Sequence, residues 1–396
     1  MARTSSESAL VVGGGPGGMM LAYLLGRAGI RVTLLEAHRD FDRDFRGDSL
    51  HPYTLELLDE LGLAEPLLEL PHEKARQFRL HTTAGSVTTA DYTRLRTPFN
   101  YVTLMPQARF LDFMAERFRS LPGCELRTGC KVTELDERDG RIVGAQGIEA
   151  DVVIGADGRH SRLRRLADLP ARSLGARTDL IWFRLPHRDG DPPDADVDLF
   201  FGRDHYVGLL TGTEGWQLGY SVPKGGYAKA RDAGVEPIRR FLDEHVPWLA
   251  GRTHLLTDFT QTTLLSVDIS RVQRWWRPGL LLIGDAAHVI SPVGGNGILM
   301  AIQDAVAAAN RLVPALRQGP VPDHVLAAVQ ADREPAIKLV QDDQVRIEHR
   351  AARARESGRP IVPAKLLRLI TALPGVRRRA ARANAYGPNA PRLSLP

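Results

Sequence analysis

The sequence predicts an α/β fold. It reads as a Rossmann-like dinucleotide-binding lobe, an antiparallel β-sheet lobe inserted into it, and a C-terminal helical tail. Three observations carry this. Val11–Gly18 is a glycine loop set between a short apolar run and an amphipathic helix. The same strand, glycine turn and helix start return at Ile154–Arg162 and again at Leu281–Gly297. Between them lies a stretch of short strand-like segments broken by Gly, Pro and Asp turns.

The first loop follows Ala9-Leu10-Val11-Val12, long enough for a buried strand, and precedes a helix from Met19 to Arg27. Gly13, Gly15 and Gly18 satisfy Gly-x-Gly-x-x-Gly, with Pro16 inside the loop. The three glycines serve a tight turn, room for a pyrophosphate against bare backbone, and close helix–strand packing. Backbone N–H groups at the helix start then face the phosphates, aided by the positive end of the helix dipole. Gly29 stops the helix and Arg31–Glu36 is the next strand. Glu36 falls where a carboxylate can accept both hydroxyls of an adenosine ribose. A glycine-rich turn in some other α/β fold is the plainer alternative, which the acid and the strand–helix–strand context disfavour.

With 396 residues the chain exceeds what one core usually supports, so two lobes are expected. No apolar run approaches the roughly twenty residues of a membrane helix, and the polar N-terminus shows no signal peptide. Cys124 and Cys130 are the only cysteines, too far apart for a Cys-x-x-Cys pair. A reduced, cytoplasmic setting fits, and a flavin–dithiol reductase does not. No metal site is expected. From Arg346 onward there are 12 Lys/Arg against 2 Asp/Glu, which leaves 40 against 45 for the rest and a net charge of +5 overall. Such a tail can touch nucleic acid or an acidic membrane, but it reads first as a solvated, partly helical surface, and no nucleic-acid partner is expected.

Along the chain, a polar loop runs to Phe45 and on through Arg46-Gly-Asp-Ser-Leu-His-Pro. A helix follows from Tyr53 to a stop at Gly62. Phe78–Thr89 reads as a hairpin turning at Ala84-Gly85, and Met105–Phe118 as an amphipathic helix. Cys124–Arg127, Lys131–Asp136 and Ile142–Gln146 read as strands leading to Asp151-Val-Val-Ile. Further strands are expected at 181–185, 198–201, 206–210 and 216–222. The division this suggests is residues 1–75, 101–178 and 264–345 for the nucleotide lobe. Residues 76–100 and 179–263 would form the second lobe and 346–396 the tail.

The later loops sharpen the reading. Ile154-Gly-Ala-Asp157-Gly158 precedes a helix start at Ser161-Arg162, which can cap and pair or contact phosphate. Leu281-Leu-Ile-Gly-Asp285 ends a third strand with an aspartate able to accept hydrogen bonds from a sugar-alcohol chain. Then come Pro292, Gly294, Gly295, Asn296 and Gly297, offering bare N–H groups at the start of a helix carrying Ile298, Ile302, Ala305, Ala309 and Leu312. A helix start favours nearby negative charge by a few tenths to about 2 kcal/mol. An isoalloxazine ring gathers such charge near N1 when reduced. His288 invites assignment as a general base but reads better as a packing or hydrogen-bonding residue.

These three motifs, in this order and spacing, resemble the single-component FAD-dependent aromatic hydroxylases, the para-hydroxybenzoate hydroxylase family, over Leu10–Val345. The resemblance implies that Gly13, Gly15, Gly18 and Glu36 hold the ADP half of FAD. It implies that Asp157 and Gly158 serve FAD and NAD(P)H, that Asp285 binds the ribityl chain, and that Gly294–Gly297 line the flavin pyrimidine. Arg46 and Gln107 fall where the family faces its cofactor. In one respect the chain departs: Leu299 stands where an asparagine is usual, and Asn296 lies earlier. The implied chemistry is hydroxylation of an aromatic or polyketide-like molecule by O2, with NADH or NADPH as transient reductant, through a flavin C4a-hydroperoxide.

No catalytic acid or base is assigned. Trp182, Arg184, Tyr206, Trp216 and Tyr220 are candidates to shape the substrate pocket from the inserted sheet. Strand alternation turns every second residue away, and spacing alone does not say which face is which. A flavin halogenase would need a Trp-x-Trp-x-Ile-Pro signature, absent here. A flavin reductase of the same fold, or a flavin-binding protein without activity, remains a rival.

Overall fold

In the computed structural model, residues 7–42, 47–192, 196–292, 294–357, 361–362 and 364–395 are described. A six-stranded sheet runs in the order 276–277, 280–282, 152–155, 8–12, 31–35, 124–127. All neighbours are parallel except the first pair. Leu10, Val11, Val153, Ile154 and Leu281 are wholly buried, as parallel strands covered on both faces must be. Helix Pro16–Arg27 packs between helices Gln107–Arg119 and Gly297–Leu316. The three-stranded meander 135–138, 141–145, 148–149 packs on strand Val152–Gly155. Residues 131–134, expected as strand, carry no ladder; that strand begins only at Leu135. Thr133 and Glu134 N–H groups instead donate to the Gln146 side chain.

This topology explains why three distant turns meet. Strands 8–12, 152–155 and 280–282 are adjacent and parallel, so their C-terminal ends share one edge. Ligands in open α/β sheets bind at that edge. The turns are tied together through backbone: Ala156 N–H donates to Val12 O at 2.7 Å and Ile283 N–H to Gly155 O at 3.0 Å.

The second sheet has seven strands, in the order 263–265, 178–185, 215–223, 206–212, 197–201, 77–82, 85–91. It is antiparallel throughout except where 197–201 runs parallel to 77–82. The hairpin 77–91 thus joins strands more than a hundred residues later. The ion pair of Arg79 with Asp198 at 2.8 Å fastens that junction.

The C-terminal region is not a solvated tail. Helix Asp323–Glu356 runs unbroken through the point where composition turns basic. Helix Val376–Tyr386 buries Ala381 and Ala385 while Arg378, Arg379 and Arg382 face outward. It packs on strand Gly85–Asp91 and helix Pro52–Glu60. Tyr386 Oη donates to Glu56 Oε1 at 2.6 Å and Tyr53 Oη to Pro391 O at 2.7 Å. Small residues on one face let the helix approach closely, and arginine supplies only its solvated side. Among the described residues no helix is long and apolar enough to cross a membrane.

Candidate functional site

The glycines of the first loop do three different jobs. Gly13 has φ +106°, and a Cβ there would lie 2.3 Å from Ala156 O. A Cβ on Gly18 would meet Gly13 O and the Ala156 side chain, so helix and strand touch through bare backbone. A Cβ on Gly15 would meet nothing within 4 Å: this is open space over a helix N-terminus whose first residue is Pro16. Room and exposed N–H groups together form a phosphate cradle. Glu36, only 3% exposed, ends the neighbouring strand. Its Oε2 accepts from Gly14 N at 2.8 Å and its Oε1 from His38 N at 2.9 Å, which fixes the carboxylate at the groove's rim.

The same groove is lined by Asp157, Gly158, Gln107, Asp285 and Gly297. Asp157 itself turns inward: Oδ1 accepts from Ser161 Oγ at 2.5 Å and Oδ2 from the N–H groups of Arg162 and Leu163 at 2.6 and 3.1 Å. Ser161 caps the next turn by accepting from Arg164 N at 2.9 Å. These bonds hold the Gly158 turn and fix the Asp157 carboxylate beside the groove it lines. Gln107 opens its helix beside the groove. Arg46 lies outside the described residues.

The Gly284-Asp285 turn is braced from behind. Asp304 Oδ2 accepts from Gly284 N at 2.9 Å and pairs with His288 Nε2 at 2.6 Å, while its Oδ1 accepts from Arg333 Nε at 2.9 Å. All three side chains are buried. Burial alone would raise the Asp304 pKa, but His288, Arg333 and the Gly284 N–H hold it below the usual carboxylate range. His288 is therefore a supporting residue, turned away from solvent beneath Trp275.

Asp285, Gly297 and Ile298 line both this groove and a second space beside it. One wall is the loop Pro292, Gly294, Gly295 at the start of helix Gly297–Leu316; the other is the face of the seven-stranded sheet. The sheet wall is mostly apolar: Phe78, Leu180, Trp182, Val197, Leu199 and Leu210. Gly219 makes room for the Trp182 ring, since a Cβ there would sit 2.7 Å from it.

Alternation settles the candidates. Trp182 and Tyr206 line the cavity. Trp216 and Tyr220 point the other way, into a core with Ile238, Phe241 and Leu242 of helix Glu236–His245. Trp216 Nε1 donates to Asp191 at 2.6 Å and Tyr220 stacks on His205. Arg184 keeps the cavity-side parity but lies further along its strand, paired with exposed Glu214 at 3.2 Å. These three are corrected: two are core and one is surface.

Several lining residues escaped the sequence reading. Asp48 is held up in pKa by burial and accepts from Gln217 Nε2. His51 contacts Gly295 O through Nε2 at 3.2 Å, and burial lowers its pKa to about 4. Tyr92 and Asn384 line the cavity as well. The sequence carries no local signal for them: the strand glycines Gly208 and Gly219 make room for the Leu199 and Trp182 side chains.

The site fits FAD on two counts. The Gly15 cradle is empty of side chains, and two buried polar atoms at the inner end, Asn296 Oδ1 and His51 Nδ1, have no protein partner among the described residues. Leu299, in the place usual for asparagine, is wholly buried and faces the core, leaving Asn296 at the helix start.

The family model described as FAD binding domain matches residues 7–344. The chain belongs to this family. It is 37% identical over 346 residues to 6-methylpretetramide 4-monooxygenase of Streptomyces rimosus, covering 85% of this chain and 82% of that one. It is 27% identical to rifampicin monooxygenase of Streptomyces venezuelae, covering 84% and 69%. The fold matches the OxyS anhydrotetracycline hydroxylase from Streptomyces rimosus with a TM-score of 0.72 at 24% identity, over 96% of this chain and 75% of that one. The protein is thus an FAD-binding monooxygenase by family.

Proposed function

We propose that this monooxygenase consumes NADH or NADPH and O2 to hydroxylate a flat, polycyclic aromatic or polyketide-like molecule. The observation that carries the reading is that Asp285 and Gly297 line both a groove fitted to FAD and a mostly apolar cavity with aromatic side chains on its wall. The relatives act on, or are named for, polyketide-type compounds, which supports the substrate class. The balance is substrate–H + O2 + NAD(P)H + H⁺ giving substrate–OH + H2O + NAD(P)⁺.

Bound FAD supplies the redox and oxygen chemistry; the chain supplies position, charge and dryness. Gly13, Gly15, Gly18 and the helix start at Pro16 would hold the pyrophosphate and Glu36 the adenosine ribose. Asp285 would take the ribityl hydroxyls. The N-terminus of helix Gly297–Leu316, with Pro292, Gly294, Gly295 and Asn296, would face the pyrimidine edge and stabilise negative charge there. The sheet wall excludes water and orients the aromatic plane. Lowered by burial, the His51 imidazole stays neutral at working pH and can hydrogen-bond without adding charge.

The test uses the FAD-loaded protein with anhydrotetracycline, NADPH or NADH, and isotopically heavy O2. Stimulated nucleotide oxidation with one heavy oxygen in the product supports the reading. Turnover without oxygen, halide in the product, or no flavin reduction contradicts it in favour of a reductase, a halogenase or a binding protein respectively.

A further inference from the structure

The family match ends at residue 344, yet the cavity is completed by chain beyond it. Helix Val376–Tyr386 lays Ala381 and Ala385 against Tyr92 and Leu95 in a small apolar cluster of its own. One residue before Ala385, Asn384 reaches the cavity lining. Its Nδ2 donates to the Tyr92 hydroxyl oxygen at 2.5 Å. Tyr92 sits in the turn that follows strand Gly85–Asp91 and is 1% exposed.

The hydrogen-bond inventory of that hydroxyl is instructive. A phenol oxygen that accepts one bond still has a proton to donate. Tyr92 lines the cavity, so a ligand seated there can accept that proton. Burial raises the Tyr92 pKa, which keeps that proton on the oxygen at any working pH. The sheet wall around it is mostly apolar, with Phe78, Leu180, Val197, Leu199 and Leu210 beside the polar Tyr206, Thr211 and Gln217. A donor fixed in place on a mostly apolar wall distinguishes a ligand that carries a matching acceptor from one that does not.

We propose that Tyr92, oriented by Asn384 from the C-terminal helix, is a specificity-determining donor that recognises a carbonyl or phenolic oxygen on an otherwise apolar aromatic substrate. Asn384 is a positioning residue in this scheme, and the basic C-terminal region is part of the substrate site. The proposal rests on the aromatic-hydroxylase reading above but is tested by binding, so the two fail separately.

The experiment is equilibrium dialysis of the full-length, FAD-loaded protein against naphthol and naphthalene. Wild type prefers naphthol. Tyr92→Phe, which keeps the ring and its packing, loses about tenfold in naphthol affinity while naphthalene affinity is unchanged. Asn384→Ala shifts the preference the same way by a smaller factor. Adding it to Tyr92→Phe causes no further loss, as expected when two residues act through one contact. Should Tyr92→Phe fail to fold, the Asn384→Ala ratio decides alone. An equal loss for both probes, or an unchanged ratio in folded variants, overturns the proposal and leaves the Tyr92–Asn384 bond as a tie between tail and sheet. A wild type without preference overturns it too. If wild type shows the preference but transfers no oxygen to any aromatic tried, the monooxygenase reading fails and this one stands.

Discussion

The glycine groove and the sheet-face cavity meet at Asp285, yet they are built in opposite ways. The groove is made of backbone: missing Cβ atoms, helix N-termini and strand ends, with Glu36 a buried acid at the rim. Its shape is set where three parallel strands stop together, and little of it can vary. The cavity is made of side chains contributed by sheet strands, the loop before helix Pro52–Glu60, the glycine turn at 294–295 and the last helix. Any of these can change without disturbing the parallel sheet. The difference separates a fixed cofactor end from an adaptable substrate end.

The largest expected effect probes the backbone character of the groove. Gly13→Ala should prevent folding or destabilise by more than about 4 kcal/mol, because its Cβ has no space and its φ is left-handed. Gly15→Ala has open space and an ordinary φ of −70°. It should melt like wild type while binding FAD at least about tenfold more weakly, one hydrogen bond's worth. Equal thermal stability for the two variants would break the distinction.

Next comes acid. His51 is about 4 in the folded state against 6.5 in an ordinary environment. The unfolded chain therefore binds the proton first, so stability is full above pH 6.5 and falls as pH drops toward 4, by about 3 kcal/mol at the acid end. His51→Asn should flatten that part of a stability-versus-pH curve. Chemical denaturation at a series of pH values reads it directly.

A smaller contrast tests the two faces of the sheet. Trp216→Phe gives up the Asp191 bond and should cost about 1–3 kcal/mol with naphthol affinity unchanged. Trp182→Phe should alter naphthol affinity several-fold, within the roughly 1–3 kcal/mol span that a hydrophobic pocket contact commands. The reverse pattern would exchange the faces. Smallest of all, Arg184→Ala removes an exposed pair with Glu214 and should shift stability by less than about 1 kcal/mol, with no change in probe affinity.

The contrast also explains what could be read in advance. The groove was legible because its requirements are local: Gly13, Gly15 and Gly18 sit at fixed offsets, and Glu36 ends the next strand. Hydrophobic runs likewise gave most strands their place. The cavity was not, because parity on a strand depends on which face the rest of the molecule covers. Trp216 and Tyr220 look as suitable as Trp182 and Tyr206 until helix Glu236–His245 is seen to occupy their side. Asp48 and His51 lay in a loop with no period. The C-terminal helix misled through composition, since its arginines announce a solvated surface while Ala381 and Ala385, small and unremarked, do the packing.

The central claim is that the groove and the cavity form one continuous site around a single bound flavin. The most direct test is to titrate the purified, FAD-loaded protein with naphthol while following the visible flavin band. One site predicts a saturable perturbation of that band with the same midpoint as naphthol binding by dialysis. Binding of naphthol that leaves the flavin spectrum untouched, or a protein that takes up no flavin, would contradict the account.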